Sequence, residues 1–375
     1  MSFWERIDLW TLIPVVILTL IGLVALNLVF QHEYGQGPYA RSWTKQLVAV
    51  ALGAVVATII LFIQLPTFRL LAIFSYGFSI ALLIWVKIDS YDLSALTGAD
   101  SWMRIPLFGS FQPSELAKIS VALLAAEVFG KMKRQEVSEV KGIKQIVAIY
   151  ALPLALVLME PDLGTALVIL FMFLVSIFIW GIRWGFITIG FLAGLMIVPA
   201  AWFFYLNEVR RKRILSLLFP GHDAKADYQI NQALKALANG GLFGSPSDVS
   251  IPVPVKESDF IFTAIGEYFG FIGSMTVLIL FTIYVVRVYY LALQMEAYEP
   301  SAAYLLIALI SSQAFHIIEN IGMNLGLLPI TGIPLPYISD GGTAMVMNFI
   351  TLGLILNVLG NLKEYRTLYR TSPLT

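Results

Sequence analysis

The sequence predicts an all-α, polytopic membrane protein with ten transmembrane helices, forming one membrane domain over residues 1–375. Hydrophobic residues make up 58% of the chain and charged residues only 13%, whereas soluble domains carry about 25% charged residues. The mean hydropathy is +0.82, which also excludes intrinsic disorder. The apolar residues form continuous segments that can cross a bilayer core of about 20 helical residues.

The ten predicted spans follow one another along the whole chain. They are Leu9–Phe30, Gln46–Ile63, Leu70–Val86, Ser114–Phe129, Gln145–Leu158, Leu163–Trp180, Gly185–Leu206, Ala264–Val288, Ala302–Met323 and Thr343–Gly360. The first is longer than a signal-peptide core and no small-residue cleavage site follows it, so we expect a retained helix. Only Glu160-Pro161-Asp162 separates the fifth span from the sixth, which predicts a tight helical hairpin.

If both termini are placed in the cytoplasm, Lys and Arg are concentrated in the segments on that side of the membrane. This bias sets the orientation of a membrane protein, so we expect cytoplasmic termini. The outer segment 207–263 is then far longer than usual connections, and loops of that length are often functional. Apolar residues run through it, which predicts order and some helix at the membrane surface. Its cations directly after the seventh span, Arg210 to Arg213, predict an anionic partner at that level.

Asp259 is the first candidate for chemistry. It lies in Ser258-Asp259-Phe260, where the long outer segment enters the eighth span. An acidic residue in the first helical turn is favoured by the helix dipole alone. Partial burial against Phe260 and Phe262 would instead suit a general base at the membrane surface. Glu267, deeper in the same span, is a further candidate because carboxylates inside membranes are commonly functional.

Three further polar pairs or caps are visible. Glu115 and Lys118, three residues apart, share a helix face, where they either neutralise each other or orient a substrate. Asp162 either caps the sixth span or takes part in a site. His316 and Glu319 resemble half of a metal site, and without a second such pair the sequence predicts no metal.

Composition excludes several other classes of protein. The chain has no cysteine, which excludes disulfides and thiolate sites. Its 24 basic residues balance 24 acidic ones, so that no basic domain is available to bind nucleic acid. No phosphate-binding glycine loop or serine-nucleophile elbow is present either.

Six segments together resemble one protein family. They are Gly98-Ala99 with Trp102, QPSELAK at 112–118, PDLGTAL at 161–167, the stretch from Tyr228 to Gly244, SDFIFTAIGE at 258–267 and NIGMNLGLLPITGIPLPYIS at 320–339. They are similar, in content and order, to the motifs of the SEDS family (shape, elongation, division and sporulation proteins), most of all to its rod-shape branch. The joint match runs from the third span to the tenth, although each segment alone is a weak signal.

The resemblance implies ten transmembrane helices with cytoplasmic termini. It implies a peptidoglycan glycosyltransferase that polymerises lipid II at the outer face of the cell membrane, for elongation and rod shape. The family's essential aspartate matches Asp259, and its functional Glu and Lys match Glu115 and Lys118. Its loop tryptophan matches Trp102, and the aspartate of its PDLGT motif matches Asp162.

On this hypothesis Asp259 accepts the proton of the acceptor's sugar hydroxyl, while Arg210 and Arg213 bind the diphosphate, a group that favours Arg. No cofactor is required, although a divalent cation could assist the leaving group. The expected partners are lipid II, membrane lipid, a class B penicillin-binding protein and other elongation-complex proteins. The glycines Gly266, Gly270 and Gly273 of the eighth span could accept the partner's helix or lipid.

Four positions depart from the family pattern. Val255 stands where Glu is usual, Tyr268 where a second Glu is usual, Asp340 where Tyr is usual and Ser101 where Arg is frequent. Two other functions remain open. A lipid-linked-sugar flippase predicts polar residues along a path through the bilayer midplane, and a non-catalytic scaffold for a cell-wall synthase predicts that Asp259→Asn keeps function.

Overall fold

The structure is a computed structural model that describes residues 7–34, 40–88, 101–105, 109–160, 162–206, 208, 211–212, 215, 219, 221–245 and 250–371. Its elements are α1 (Leu9–Tyr34), α2 (Ala40–Ile60), α3 (Leu65–Ile88), β1 (Met103–Ile105), β2 (Gly109–Phe111), α4 (Pro113–Lys133), α5 (Glu139–Met159), α6 (Leu163–Trp180), α7 (Trp184–Ala200) with a π-helical turn (Ala201–Tyr205), α8 (Ala224–Asn239), α9 (Ile261–Met295), α10 (Pro300–Asn324) and α11 (Gly342–Thr371).

Eight helices within the described ranges, namely α1, α2, α3, α5, α6, α9, α10 and α11, are long and apolar enough to cross a membrane. The prediction of a mainly helical, polytopic membrane protein is therefore confirmed. The all-α prediction missed one small feature, the antiparallel hairpin of β1 and β2, in which Met103 pairs with Phe111. Strands of three residues leave no periodicity that a sequence pattern could reveal.

Local sequence explains where the helices start and stop. Pro113 opens α4 at the first helical position, where a missing N–H costs nothing. Asp162 caps α6 by accepting a hydrogen bond from the Thr165 backbone N–H at 3.0 Å, as the capping interpretation predicts. Gly181 ends the same helix with φ +92°, a left-handed conformation that suits glycine. The helix α5 ends at Met159, three residues before Asp162, and packs against α6, which agrees with the predicted tight hairpin between the fifth and sixth spans.

The helix α10 lies at the centre of the bundle. It packs against α4, α6 and α9, and 83% of its membrane-spanning window is buried, against 22% for α3. Side chains on a helix buried on every side must be apolar or hydrogen-bonded. The polar residues of α10 therefore all require partners inside the protein.

The two ends of the bundle carry different polar groups. The amino ends of α4, α6, α9 and α11 meet the carboxyl ends of α1 and α10 at one end, which we call the site end. The opposite end is held by ion pairs between helices. They are Arg69–Glu127, Lys133–Glu296, Arg134–Glu299, Arg183–Glu139 and Arg287–Asp8. Partly exposed pairs of this kind contribute little individually.

The helix α8 lies inside the predicted outer segment 207–263 and packs against α9. A Cβ atom at Gly266 would collide with Leu237 of α8, and one at Gly270 would collide with the backbone of Leu242 and Gly244. The prediction that a partner helix or lipid contacts these glycines is therefore wrong for Gly266 and Gly270, where the chain's own segment 237–244 approaches the α9 backbone. For Gly273 it stays a prediction, since a Cβ atom there would meet only residues of α9 itself.

Candidate active site

Asp259 lies in a tight turn just before α9. The carbonyl oxygen of Val255 accepts the N–H groups of Ser258, Asp259 and Phe260 at 3.2, 3.1 and 3.3 Å. Val255 itself has φ +59°, a left-handed conformation that is rare for a β-branched residue. The turn therefore holds the Asp259 backbone through local bonds and carries strain at the residue where the family pattern has Glu.

Two asparagines of α10 hold the same backbone from the other side. Asn320 Nδ2 and Asn324 Nδ2 both donate to the carbonyl oxygen of Asp259, each at 2.9 Å. Asn324 Oδ1 in turn accepts the Thr263 N–H at 3.0 Å and the Thr263 hydroxyl at 2.7 Å. The first turn of α9 is thus capped by a side chain of α10, which fixes Asp259 relative to the central helix.

The segment 330–341 packs against the Asp259 turn. Ser339 Oγ donates to the Ser258 carbonyl oxygen at 2.6 Å, and the Asp340 N–H donates to the Glu257 carbonyl oxygen at 2.9 Å. Burial and the nearby Glu257 carboxylate raise the pKa of Asp340 to about 6. The segment 330–341 therefore forms a wall of the Asp259 site.

Gly332 lies beside the Asp259 carboxylate. Its φ is +75°, and a Cβ atom there would lie 3.4 Å from Asp259 Oδ2. A glycine at this position therefore leaves the space beside the carboxylate open and permits the left-handed backbone.

Glu115 and Lys118 form the predicted pair and gain a third member. Lys118 Nζ lies 2.8 Å from Glu115 Oε1 and 2.8 Å from His316 Nε2, and all three side chains are buried. His316 Nδ1 lies 3.2 Å from the Pro334 carbonyl oxygen. A carbonyl only accepts, so Nδ1 carries the proton and Nε2 accepts from Lys118.

The three residues line a small cavity between α4, α10 and α11. Its volume is about 20 Å³, room for one water-sized molecule. The polar lining side chains are those of Glu115, Lys118, Ser312, Gln313, His316, Asn348 and Thr351. The cavity places further polar groups beside the Glu115–Lys118 pair.

Asp162 joins its helix cap to the QPSELAK segment. Besides Thr165, its carboxylate accepts Gln112 Nε2 at 2.7 Å, and Gln112 Nε2 also lies 3.4 Å from Ser101 Oγ, next to Trp102. Burial raises the pKa of Asp162, opposed by the bonds from Thr165. Trp102 is half-buried at the start of the β1–β2 hairpin, so the predicted residues Trp102 and Asp162 share one neighbourhood.

Three consecutive residues link the Asp259 turn to the Lys118 cluster. Gly332 lies beside the Asp259 carboxylate, the Ile333 carbonyl oxygen accepts Asn320 Nδ2 at 2.8 Å, and the Pro334 carbonyl oxygen contacts His316. Gly164 of α6 lies against the same segment, since a Cβ atom there would reach Ile333. The segments around residues 112–118, 162–167, 258–267 and 320–339 therefore converge at the site end.

Glu267 has a structural partner. Lys256 Nζ lies 2.6 Å from Glu267 Oε2 and 2.8 Å from Glu33 Oε1, and the Lys256 side chain is fully buried. Glu267 Oε1 also accepts the Ile251 N–H at 2.7 Å. Burial lowers the pKa of Lys256, but the bonds to Glu267 and Glu33 outweigh burial and raise it overall. The candidate Glu267 thus anchors residues 251–256 to α1 and α9.

Some predictions fall outside these clusters. Arg210 and Arg213 lie outside the residues that the structure describes, and the neighbouring Arg211 donates to the Phe203 carbonyl oxygen at 2.9 Å. His316 and Glu319 do not act together, because Glu319 accepts the Thr331 hydroxyl at 2.8 Å. Across the described ranges, no group of three or more His, Asp or Glu side chains is placed to hold a metal ion.

The sequence interpretation missed Gln112, His316, Asn320, Asn324 and Ser339 as parts of the site. Spacing does contain one signal for three of them. His316, Asn320 and Asn324 follow each other at intervals of four residues along α10, which places them on one helix face. A polar stripe inside an apolar span requires partners, but spacing does not tell which partners they are.

Comparison with known proteins identifies the family. The model of the FtsW, RodA and SpoVE cell cycle proteins matches residues 6–364. The peptidoglycan glycosyltransferase MrdB of Escherichia coli K12 is 28% identical over 367 residues, which cover 95% of each chain. The MrdB protein of Helicobacter pylori is 31% identical over 375 residues, which cover 98% of this chain and 92% of that protein.

Solved structures agree with this relationship. The rod-shape-determining protein RodA of Thermus thermophilus superposes with a TM-score of 0.70 at 26% identity, over 96% of this chain and 98% of that one. A chain of a peptidoglycan synthase complex superposes with a TM-score of 0.79 at 28% identity, over 95% of this chain and 98% of that one. The chain is thus a member of the FtsW/RodA/SpoVE family, the SEDS proteins that its motifs resemble.

Proposed function

We propose that the chain is a peptidoglycan glycosyltransferase that polymerises lipid II into glycan strands for cell elongation and rod shape, with Asp259 as its general base. One observation carries the assignment of the base. The Asp259 backbone is fixed by Asn320, Asn324 and the Val255 turn, so a half-buried carboxylate is held in one place at the mouth of the bundle. The activity itself is supported by relatives of that name over nearly the full chain.

The proposed step is a single displacement. The Asp259 carboxylate takes the proton from a sugar hydroxyl of the acceptor, and that oxygen attacks the anomeric carbon of the donor. The bond from this carbon to the diphosphate breaks, and lipid diphosphate leaves with the electron pair. Attack from the face opposite the leaving group inverts the anomeric centre, so an α-linked donor becomes a β-linked glycan. A positioned base contributes about 10² to 10⁴ in rate.

The other site residues are assigned to the substrate. Glu115 and Lys118 orient the substrate beside the base through the segment 332–334, and Asp162 and Trp102 line the adjoining wall. Arg210 and Arg213 bind the diphosphate at the membrane surface, since Arg makes paired bonds to phosphate oxygens. This step requires no resident cofactor, and a divalent cation arriving with the diphosphate would only assist its departure.

The same proposal includes ten spans with both termini in the cytoplasm. α4, which is buried in the bundle beside α10, and α7 with its π-helical turn supply the two spans beyond the eight apolar ones. The site end then faces outward. Because the chain has no cysteine, single cysteines at Lys235 and Lys141 can test this with a membrane-impermeant maleimide on intact cells. Labelling at 235 and not at 141 is expected, and the reverse pattern would contradict the orientation.

A class B penicillin-binding protein is the proposed partner, and it would cross-link the glycan as it forms. Support comes from the similar chain in a peptidoglycan synthase complex, a complex that structurally coordinates polymerization and crosslinking. Further elongation-complex proteins and membrane lipid complete the proposed surroundings.

The test uses purified protein in lipid vesicles with lipid II, comparing the wild type with Asp259→Asn. We expect glycan polymer from the wild type and a loss of about 10² to 10⁴ in rate from the variant. Polymer formed by Asp259→Asn at near wild-type rate would overturn the base assignment. Lipid II crossing the bilayer, without polymer from either protein, would point to a flippase. Normal shape in cells that carry Asp259→Asn would support the non-catalytic scaffold function instead.

A further inference from the structure

One face of α10 makes hydrogen bonds to groups around the site. His316, Asn320 and Asn324 occupy this face at four-residue intervals, and each residue is at most 8% exposed. We call them the α10 ladder. Polar side chains on a buried face need partners because an unsatisfied group costs about 1–3 kcal/mol. The ladder finds its partners in the backbone of Asp259, Ile333 and Pro334, and in Thr263 and Lys118.

Asn320 is the shared member of the ladder. Its amide nitrogen has two hydrogens, one for the Asp259 carbonyl oxygen at 2.9 Å and one for the Ile333 carbonyl oxygen at 2.8 Å. No donor capacity is left over. One side chain therefore sets the distance between the proposed base and the segment that borders it.

The neighbouring members extend this link in both directions. Asn324 adds a second bond to the Asp259 carbonyl oxygen at 2.9 Å and binds the first turn of α9 through Thr263. His316 contacts the Pro334 carbonyl oxygen at 3.2 Å and accepts from Lys118 at 2.8 Å. A path thus runs from Asp259 through Asn320 to Ile333 and, across the Ile333–Pro334 peptide bond, through His316 to Lys118.

A buried asparagine that binds backbone carbonyls is not in itself evidence for a role in catalysis. Asn357 of α11 does the same at the opposite end of the bundle, where its Nδ2 lies 2.8, 3.2 and 2.7 Å from the carbonyl oxygens of Ile60, Leu61 and Ile63. The difference lies in what is held. Asn357 fixes the end of α2, whereas Asn320 fixes the residue that takes the proton.

We infer that Asn320, assisted by His316 and Asn324, is a positioning residue that holds Asp259 and Lys118 in register for glycosyl transfer. This inference rests on the proposed role of Asp259 as base. A misplacement of about 1 Å in a reacting group can cost about 10² in rate, so loss of the shared amide should affect turnover far more than substrate binding.

The experiment compares Asn320→Ala, Asn324→Ala and Asn357→Ala in vesicles with lipid II, measuring kcat, KM and Tm. We expect Asn320→Ala to lower kcat by about 10² and to leave KM within about threefold of the wild type. Asn357→Ala should lower Tm about as much as Asn320→Ala does, but it should leave kcat unchanged. If Asn320→Ala fails to fold, Asn324→Ala, which keeps the shared amide, should still lower kcat by about tenfold at unchanged KM.

A double variant tests whether the ladder joins the two clusters. Effects of residues that act as one unit are not additive, so Asn320→Ala in a Lys118→Met background should cost much less than tenfold further. Equal kcat for Asn320→Ala and Asn357→Ala, or full additivity with Lys118→Met, would overturn the inference. Asp259→Asn in the same series distinguishes a failure of the base assignment from a failure of the ladder inference. If it stays active, the base assignment fails, and if it is inactive while Asn320→Ala keeps wild-type kcat, only the ladder fails.

Discussion

Lys256 Nζ lies 2.6 Å from Glu267 Oε2, and neither side chain reaches solvent. The bond joins the segment before Asp259 to the interior of α9, and Glu33 of α1 completes the cluster at 2.8 Å from the same ammonium group. Removing two charges from water is costly, so such a cluster is stable only when every charge keeps its partner.

Lys256→Met should destabilise the protein strongly, because it leaves two carboxylates buried without a cation. The expected loss is about 3–5 kcal/mol, the usual cost of breaking a buried pair. Thermal unfolding in detergent checks this, with the exposed Lys235→Met as the control. The added substitution Glu267→Gln should recover part of the lost Tm. An unchanged Tm in Lys256→Met would show that the cluster is not a stability determinant.

Lys118→Met should affect both stability and activity. It leaves the buried Glu115 carboxylate without a cation, at a cost of about 3–5 kcal/mol, and it removes the proton donor to His316. The double variant Glu115→Gln/Lys118→Met should regain most of the stability and none of the glycan synthesis. Recovery of activity together with Tm would mean that the pair only neutralises itself, which was the simpler interpretation of its spacing.

The contrast between Lys118 and its two partners explains what sequence spacing can predict. Glu115 was found from the sequence because residues three apart share a helix face. His316 is 198 residues away from Lys118, and no periodicity relates α4 to α10. His316 and Glu319 resemble half of a metal site in the sequence, but in the structure His316 contacts Lys118 and Glu319 contacts Thr331, partners that the spacing within α10 does not reveal.

Val255→Gly should stabilise the turn before Asp259. Val255 has φ +59°, and the left-handed conformation costs roughly 1–2 kcal/mol for a residue with a Cβ atom. Its side chain is 43% exposed, so little packing is lost. The higher entropy of unfolded glycine offsets about 0.5–1 kcal/mol of the gain, which leaves a small rise in Tm. Val253→Gly is the control. The Val253 side chain is buried, so its removal should lower Tm. A fall in Tm for Val255→Gly would contradict the strain at this position.

Glu160 should make stability depend on pH. Burial and the nearby Asp162 carboxylate raise the pKa of Glu160 from its ordinary value to about 8. The folded protein therefore holds this proton more tightly than the unfolded chain. The stabilisation that this proton provides is complete below the pKa of Glu160 in the unfolded chain. It is lost as pH rises through the pKa of Glu160 in the folded protein.

Glu160→Gln removes the titration, so its Tm should fall less than that of the wild type between about pH 5 and about pH 9. Tm measured across that range checks this, with the exposed Glu136→Gln as a control that should follow the wild type. Parallel curves for Glu160→Gln and the wild type would rule out a raised pKa at Glu160.

The spans were predictable because a long apolar helix needs no knowledge of its neighbours. The cap at Asp162 was predictable for a similar reason, since its partner Thr165 is local. Gly266 and Gly270 were misinterpreted because a small-residue face looks the same whether a partner helix or the chain's own segment 237–244 covers it. The roles of Arg210 and Arg213 stay predictions.

The most direct test of the central claim isolates the chemical step at Asp259. Single-turnover transfer between bound lipid II molecules should be slowed by about 10² to 10⁴ in Asp259→Asn. Glu257→Gln, which removes a carboxylate two residues away, should keep the rate within a few-fold of the wild type. Equal single-turnover rates for Asp259→Asn and Glu257→Gln would contradict Asp259 as the general base.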